Sequence, residues 1–178
     1  MNLKKLKSLI RHLWLDASDA RRAIPPDMLK RLAARVAASE SRQTGQIRVC
    51  VEAALPMSYL WRLDQTTAMN DIVRQRALML FGKLRVWDTE QNNGVLVYLL
   101  LGEHAIEIVA DRGLSQHVTA QQWQAMISRM SATFQQRRFE DGLTQALEEV
   151  SALLLQHFPA TEGVIRRSNE LPDEPFLA

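Results

Sequence analysis

Cys50 is the chain's only cysteine, so no disulfide can close within it, and a reducing compartment fits. The most apolar run, Val95 to Leu101, is seven residues long, far short of the roughly 20 that a membrane-spanning helix needs. No uninterrupted apolar stretch follows the N-terminal lysines, so a signal peptide is not expected and a cytoplasmic location is. Aromatic residues make up 6% of the chain and do not interleave with the basic ones, which argues against a nucleic-acid surface. The four histidines lack ligand spacing: His12 and His157 fall in helical contexts, His104 in a turn, and His117 ahead of a helix. Neither a catalytic nucleophile motif nor an internal repeat is legible.

What the chain does have is enough length for a proper core, 178 residues with 47% hydrophobic and 24% charged, which suits one domain plus tails. The net charge of +2 conceals an asymmetry. Residues 1 to 35 carry nine Lys and Arg against three Asp, and residues 140 to 178 carry two Arg against eight acids. The two ends can pair with each other or serve separate partners.

Leu3, Leu6, Ile10, Leu13 and Trp14 repeat at helical spacing among Lys4, Lys5, Lys7 and Arg11, so residues 1–24 read as a basic amphipathic helix and a linker. Packing of that stripe on the domain is the expectation. An anionic membrane surface contacted by residues 1–15, with Trp14 as interfacial anchor, is the alternative, and it would make the protein peripheral to the inner membrane. The domain then runs over 25–158. Pro25 and Pro26 open a helix, and Ile47, Val49 and Val51 alternate with Arg48, Cys50 and Glu52 as in a strand. A helix is expected from about Asp64 to Phe81. Thr119 is a natural N-cap for a helix carrying Trp123, Met126, Ile127, Met130 and Phe134, and Glu140 and Asp141 suit the start of a last helix. Residues 159–178 read as a polar, acidic tail and a candidate docking peptide. Few strands among many helices require a small mixed sheet with helices on both faces.

The chemistry concentrates around a hairpin. Val95 to Leu101 reads as a buried strand, Gly102-Glu103-His104 as the reversal, and Ala105 to Ala110 as its partner. The loop before the first strand and the loop after the second then meet at one sheet edge. Asp88, Glu90, Asn92 and Asn93 approach Asp111 and Arg112 there. Such carboxylate and amide density suits a hard cation that prefers oxygen ligands, and equally the turn and capping roles in which Asx side chains bond their own backbone. The candidate pocket is Arg48, Glu52, Trp87, Asp88, Asn92, Asn93, Asp111 and Arg112. The candidate metal ligands are Asp88, Glu90, Asn92 and Asp111. A structural alternative makes Arg48, Glu52 and Arg112 a charge network beneath the pocket, with Trp87 as a lid over the core.

The strings TGQIRVCVE, ALMLFGKLRVW, NNGVLVYLL, IEIVADRGL and FQQRRFEDGL resemble, over about residues 26 to 158, the TPM domain. That family is named for a thylakoid lumen protein, a photosystem II repair protein and a nematode receptor modulator. VWDTE, NNGV, IEIVADRG and the Asn-Glu-Leu-Pro near the end are similar to a cytoplasmic proteobacterial branch. The resemblance implies an α/β fold, a three-layer α/β/α sandwich with a small mixed sheet, and a pocket among loops at the sheet edge. Some members act as acid phosphatases, and some bind calcium or other divalent cations. Asn93 matches the family's asparagine before a glycine. Asp111-Arg112-Gly113-Leu114 departs from the usual glycine-aromatic-glycine-leucine, Ser115 stands where an acid is usual, and Ala120 stands where an aspartate is.

Three functions follow as expectations. The first, favoured by the basic helix, the acidic end and the absence of a catalytic motif, is a non-catalytic binding or scaffold module working with a protein partner near the membrane. The second is a metal-assisted phosphatase in which Asp88 and Asp111 hold a divalent ion and Arg112 neutralises phosphoryl charge. The third, nucleic-acid binding, needs a basic face that the central domain does not show.

Overall fold

The two parallel hydrophobic stretches at Ile47 and Val95 pair with each other, and the rest of the fold is arranged around them. A computed structural model describes residues 3–63, 67–160 and 169–178. In chain order these form α1 (Leu3–Trp14), α2 (Ala17–Ala23), α3 (Pro26–Glu40), β1 (Gln46–Glu52), α4 (Met57–Leu60), α5 (Met69–Lys83), β2 (Gly94–Leu100), β3 (Ala105–Ala110), α6 (Arg112–Ser115), α7 (Ala120–Gln135), α8 (Phe139–His157) and β4 (Phe176–Leu177). The sheet order is β3-β2-β1-β4. β2 is parallel to β1, antiparallel to β3, and β4 is parallel to β1.

Alternation along the strands makes two cores. Ile47, Val49, Val51, Val95, Val97 and Leu99 face Leu32, Val36, Met130, Phe134, Leu147 and Val150 of α3, α7 and α8. Cys50, Leu96, Tyr98 and Leu100 face Ile72, Val73, Ala77 and Leu80 of α5. The expected α/β/α sandwich is therefore what forms, and it forms because β1 and β2 are buried on both sides along their whole length. Each large apolar side chain removed from water in these layers contributes about 1.5–3 kcal/mol before the entropy of ordering it is counted.

Side-chain caps start α2, α6 and α7. Thr119 and Gln122 cap α7 reciprocally: the Gln122 amide donates to Thr119 Oγ1 at 3.3 Å, and the Thr119 amide donates to Gln122 Oε1 at 2.8 Å. The same arrangement, built from Asp16 and Asp19, starts α2, in a stretch whose sequence reads as linker. Asp64, the expected start of the helix after β1, lies outside the described residues. That helix runs as α5 from Met69, after the short α4. The oppositely charged ends of the chain are partly joined: Arg31 binds Glu140 through two nitrogens at 2.6 and 2.8 Å, and Arg35 approaches Glu148 at 3.8 Å, tying α3 to α8.

Two expectations are corrected. The final residues are not a tail set apart from the domain: Phe176 and Leu177 pair with Cys50 and Val51 as the fourth strand, and Leu171 is buried in the second core. A polar stretch with a few spaced apolar residues can still cover a sheet edge, because backbone pairing needs only a short extended run. The stripe of α1 does not pack inward either. Among its described side chains Ser8 and His12 are buried and Leu9 packs against the second core, whereas Leu6, Ile10, Leu13 and Trp14 are 37%, 47%, 65% and 83% exposed.

Candidate functional site

Strand β1 separates the expected pocket into two ends. Gln46 pairs with Gly94 at one end and Glu52 with Leu100 at the other, so Glu52 and the loops around Asn93 are roughly 20 Å apart at the usual rise of 3.3 Å per strand residue. The expected network of Arg48, Glu52 and Arg112 is thus not formed. Glu52 instead accepts a bidentate pair from Arg76, with Arg76 Nε at 2.9 Å from Oε2, and a hydrogen bond from the Tyr98 hydroxyl at 2.7 Å. Burial, reinforced by the Glu52 charge, pushes the Tyr98 phenol far above its ordinary range. Arg76 also lies over the Tyr59 ring, 5.3 Å from its centroid. Both oxygens of the Glu52 carboxylate are therefore engaged by side chains of the protein itself. Arg48 points at the last segment, donating to the carbonyl oxygens of Pro172, at 2.6 Å, and Glu174.

The loops at the other end do come together. Asn92 adopts a left-handed φ of 53°, which asparagine tolerates, and its carbonyl accepts the Gly113 amide at 2.8 Å. A Cβ at Gly113 would collide with that carbonyl oxygen, so the DRG turn needs its glycine to seat against the NNG loop. Arg112 donates to Asn92 Oδ1 through Nε at 3.1 Å and Nη2 at 2.8 Å. Asn93 is fully buried; its amide donates to Thr89 Oγ1, and its side-chain nitrogen reaches Gln91 Oε1 at 3.2 Å and Thr44 Oγ1 at 3.4 Å. Asp111 caps α6 through Oδ1, which accepts the Arg112 amide at 2.7 Å. Asn93 Oδ1 and Asp111 Oδ2 are buried with no hydrogen-bond partner.

Asp88 pairs with Arg85 at 2.6 Å on the surface, Asn92 Oδ1 is engaged by Arg112, and the Glu90 amide donates to the Glu170 carboxylate at 2.8 Å. Among the described residues no group of three or more His, Cys, Asp and Glu side chains could hold a metal ion. Trp87 is 50% exposed. A groove of about 320 Å³ lies between α7 and α8, lined by Val118, Met126, Ala152 and Leu153 and edged by Arg129 and Glu149, with none of the expected pocket residues in its wall. Sequence reading missed Thr44 and Gln91, and it did not pair His157 with His117. The first two complete the polar network around Asn93. His157 stacks on His117 at 4.6 Å, with the rings 9° from parallel. Gln91 lies only two positions from Asn93, whereas Thr44 comes from 49 positions away and His157 from 40 positions beyond His117.

A second surface lies at the opposite end of the strands. α1 is fastened there by polar atoms: Ser8 Oγ and His12 Nε2 reach Glu103 Oε1 at 2.9 and 3.0 Å, Arg11 donates to the Gly102 carbonyl at 2.7 Å, and His12 Nδ1 accepts the Leu55 amide at 3.0 Å. Burial alone would raise the Glu103 carboxyl, but the hydrogen bonds from His12 and Ser8 and the charge of Arg11 hold it below the ordinary range. Directly after Leu55, α4 exposes Met57 at 38%, and Trp61, its C-cap residue, stands 72% exposed. Six of the nine exposed large apolar side chains of the described residues belong to α1, α4 or this cap.

A family model, the TPM domain, matches residues 18–153. Among solved structures, the chain is similar to the NMR structure of the BA42 protein from the psychrophilic bacterium Bizionia argentinensis, with a TM-score of 0.69 and 24% identity, covering 86% of this chain and 94% of that one. That likeness shows the fold. No curated protein matches the chain.

Proposed function

We propose that this chain, which belongs to the TPM domain family, is a non-catalytic binding module that rests on an anionic membrane surface through α1 and presents its loop face to a protein partner. The observation that carries this reading is the orientation of α1. An ordinary surface helix buries its apolar stripe, yet here the polar atoms of Ser8, Arg11 and His12 fasten the helix and Leu6, Ile10, Leu13 and Trp14 point outward. A helix with basic residues, an outward apolar stripe and a tryptophan suits the boundary between headgroups and acyl chains. Among the described residues no helix is long and apolar enough to cross a membrane, so peripheral contact is the mode proposed, at the cytoplasmic face of the inner membrane. The loop residues that a hydrolase would need are engaged in fixing the loops, which supports a recognition role for them.

The test is flotation with vesicles containing phosphatidylglycerol against purely zwitterionic ones. Binding to the anionic vesicles, weakened by salt and abolished by removing residues 1–15 or by Leu13→Ala with Trp14→Ala, is the expected result. Binding indifferent to all of these refutes the membrane reading.

A second reading has one observation in its favour. Asn93 Oδ1 and Asp111 Oδ2 are orphaned acceptors at one end of the β2–β3 hairpin, and buried acceptors without donors are costly. A divalent cation, calcium first, would satisfy them. Calorimetric heat and a thermal shift on adding calcium, lost in Asp111→Ala, would support it. If calcium, magnesium and zinc leave both unchanged, the cation is ruled out, and with it the metal-dependent phosphatase.

A further inference from the structure

We infer that the open edge of β1 is a peptide-accepting edge, and that the segment Asn169–Ala178 of a second copy of this chain can take the place of the first copy's own segment there. The edge is equipped to receive an extended backbone whatever its source. Gln46 Oε1 accepts the amides of both Glu170 and Leu171 at 3.0 Å. Arg48 donates to the carbonyls of Pro172 and Glu174. The Val51 carbonyl accepts the Ala178 amide at 2.9 Å. These contacts all go to main-chain atoms of the segment. Side chains add to the fit: Leu171 is buried in the second core and Leu177 packs against the first, Pro175 is buried, the Glu170 carboxylate accepts the Glu90 amide, and the Phe176 ring centroid lies 6.0 Å from the Arg48 guanidinium.

The hold is real but short. Only two residues of the segment pair as a strand, and Phe176, Leu177 and Ala178 all remain partly exposed. Opening gives up this pairing and the side-chain contacts with it, exchange with a second copy restores every one of them, and an edge left bare is unfavourable. The Arg48 side chain, which burial already disfavours as a cation, would lose both carbonyls, and Gln46 would lose two amides. Charged and polar groups in such surroundings need partners, and an unpaired strand edge recruits another strand. The segment that fits every one of these groups is the identical segment of another copy, and exchange of identical elements creates no new contact to optimise. Nine residues separate Pro159, which bridges to Gln43, from Asn169, enough to reach roughly 30 Å when extended.

The register supplies the test, since Phe176 lies opposite the native Cys50 on the same face. Full-length Phe176→Cys would be prepared in ¹⁴N and ¹⁵N forms, mixed, equilibrated over a range of concentrations, oxidised and digested. Exchange predicts peptides in which Cys50 of one isotopic form is disulfide-linked to the thiol introduced at position 176 of the other, in a proportion that rises with concentration. Links only within single chains at every concentration overturn the proposal. A second measurement avoids the substitution: a fluorescein-labelled peptide of residues 169–178 is titrated onto the wild-type chain by anisotropy. A tethered competitor acts at an effective concentration on the order of millimolar, so half-saturation at about that level is expected, and its loss in the oxidised Phe176→Cys chain. Equal binding to both, or none to the wild type, also overturns it.

Discussion

Replacing Glu40 by Gln should flatten the alkaline side of the stability profile. Glu40 ends α3 and accepts the Ile47 amide at 2.8 Å. Burial pushes its carboxyl up to about 8, and the nearby Asp173 and Glu170 act in the same direction against the lowering effect of the Ile47 amide. The native state therefore keeps a proton that the unfolded chain releases near 4.5. Stability from this site is fully present below pH 4.5, falls as pH rises, and is lost above about pH 8. A shift of this size sets a ceiling of roughly 4–5 kcal/mol, and partial exposure of the side chain reduces the expected effect to about 2 kcal/mol. Glutamine keeps the acceptor for Ile47, offers Asp173 a donor as the protonated acid does, and cannot ionise. Thermal unfolding of both proteins from pH about 5 to about 9 should show the variant gaining about 4–8 °C on the wild type across that range. Parallel curves for the two proteins would refute the reasoning.

Arg76→Ala leaves Glu52 buried and unpaired, and should cost about 3–5 kcal/mol in urea unfolding. Replacing Arg76 and Glu52 together by apolar residues should cost less than either single change, and additive losses would show that the pair is not coupled. Gly94→Ala drives a Cβ into the Val86 carbonyl oxygen, so a loss of more than about 2 kcal/mol is expected; a thermal scan showing no change would mean that the Arg85–Val86 turn yields. Cys50 is fully buried, and burial pushes its thiol up to about 12. It should resist a thiol reagent in the native state and react at once in denaturant, a contrast read by absorbance.

The hairpin was legible because β2 is apolar at every position and β3 is rich in β-branched residues, and both signals survive any tertiary arrangement. Thr119 was legible for a similar reason, as a cap needs only a residue three positions on. The meeting of NNG with DRG followed from the hairpin alone. The partners of the charged face of β1 did not: Arg76 lies 24 positions from Glu52, and the carbonyls that Arg48 binds lie 124 and 126 positions away. Periodicity marks which residues need a partner and is silent on which element brings it.

The same division holds for the surface. Amphipathic spacing determined that α1 would be a helix with one apolar stripe and basic residues beside it. Only the fold decided that the stripe would face out, because Glu103, the Gly102 carbonyl and the Leu55 amide, brought together at the end of β1 and β2, offer Ser8, Arg11 and His12 better partners than the core offers Leu6 or Trp14. Composition likewise marked residues 169–178 as polar, while their place as the fourth strand depended on an open edge of β1 with Gln46 and Arg48 beside it. Helix and strand propensity are written over a few neighbouring residues. Hydrogen-bond partners are chosen in space.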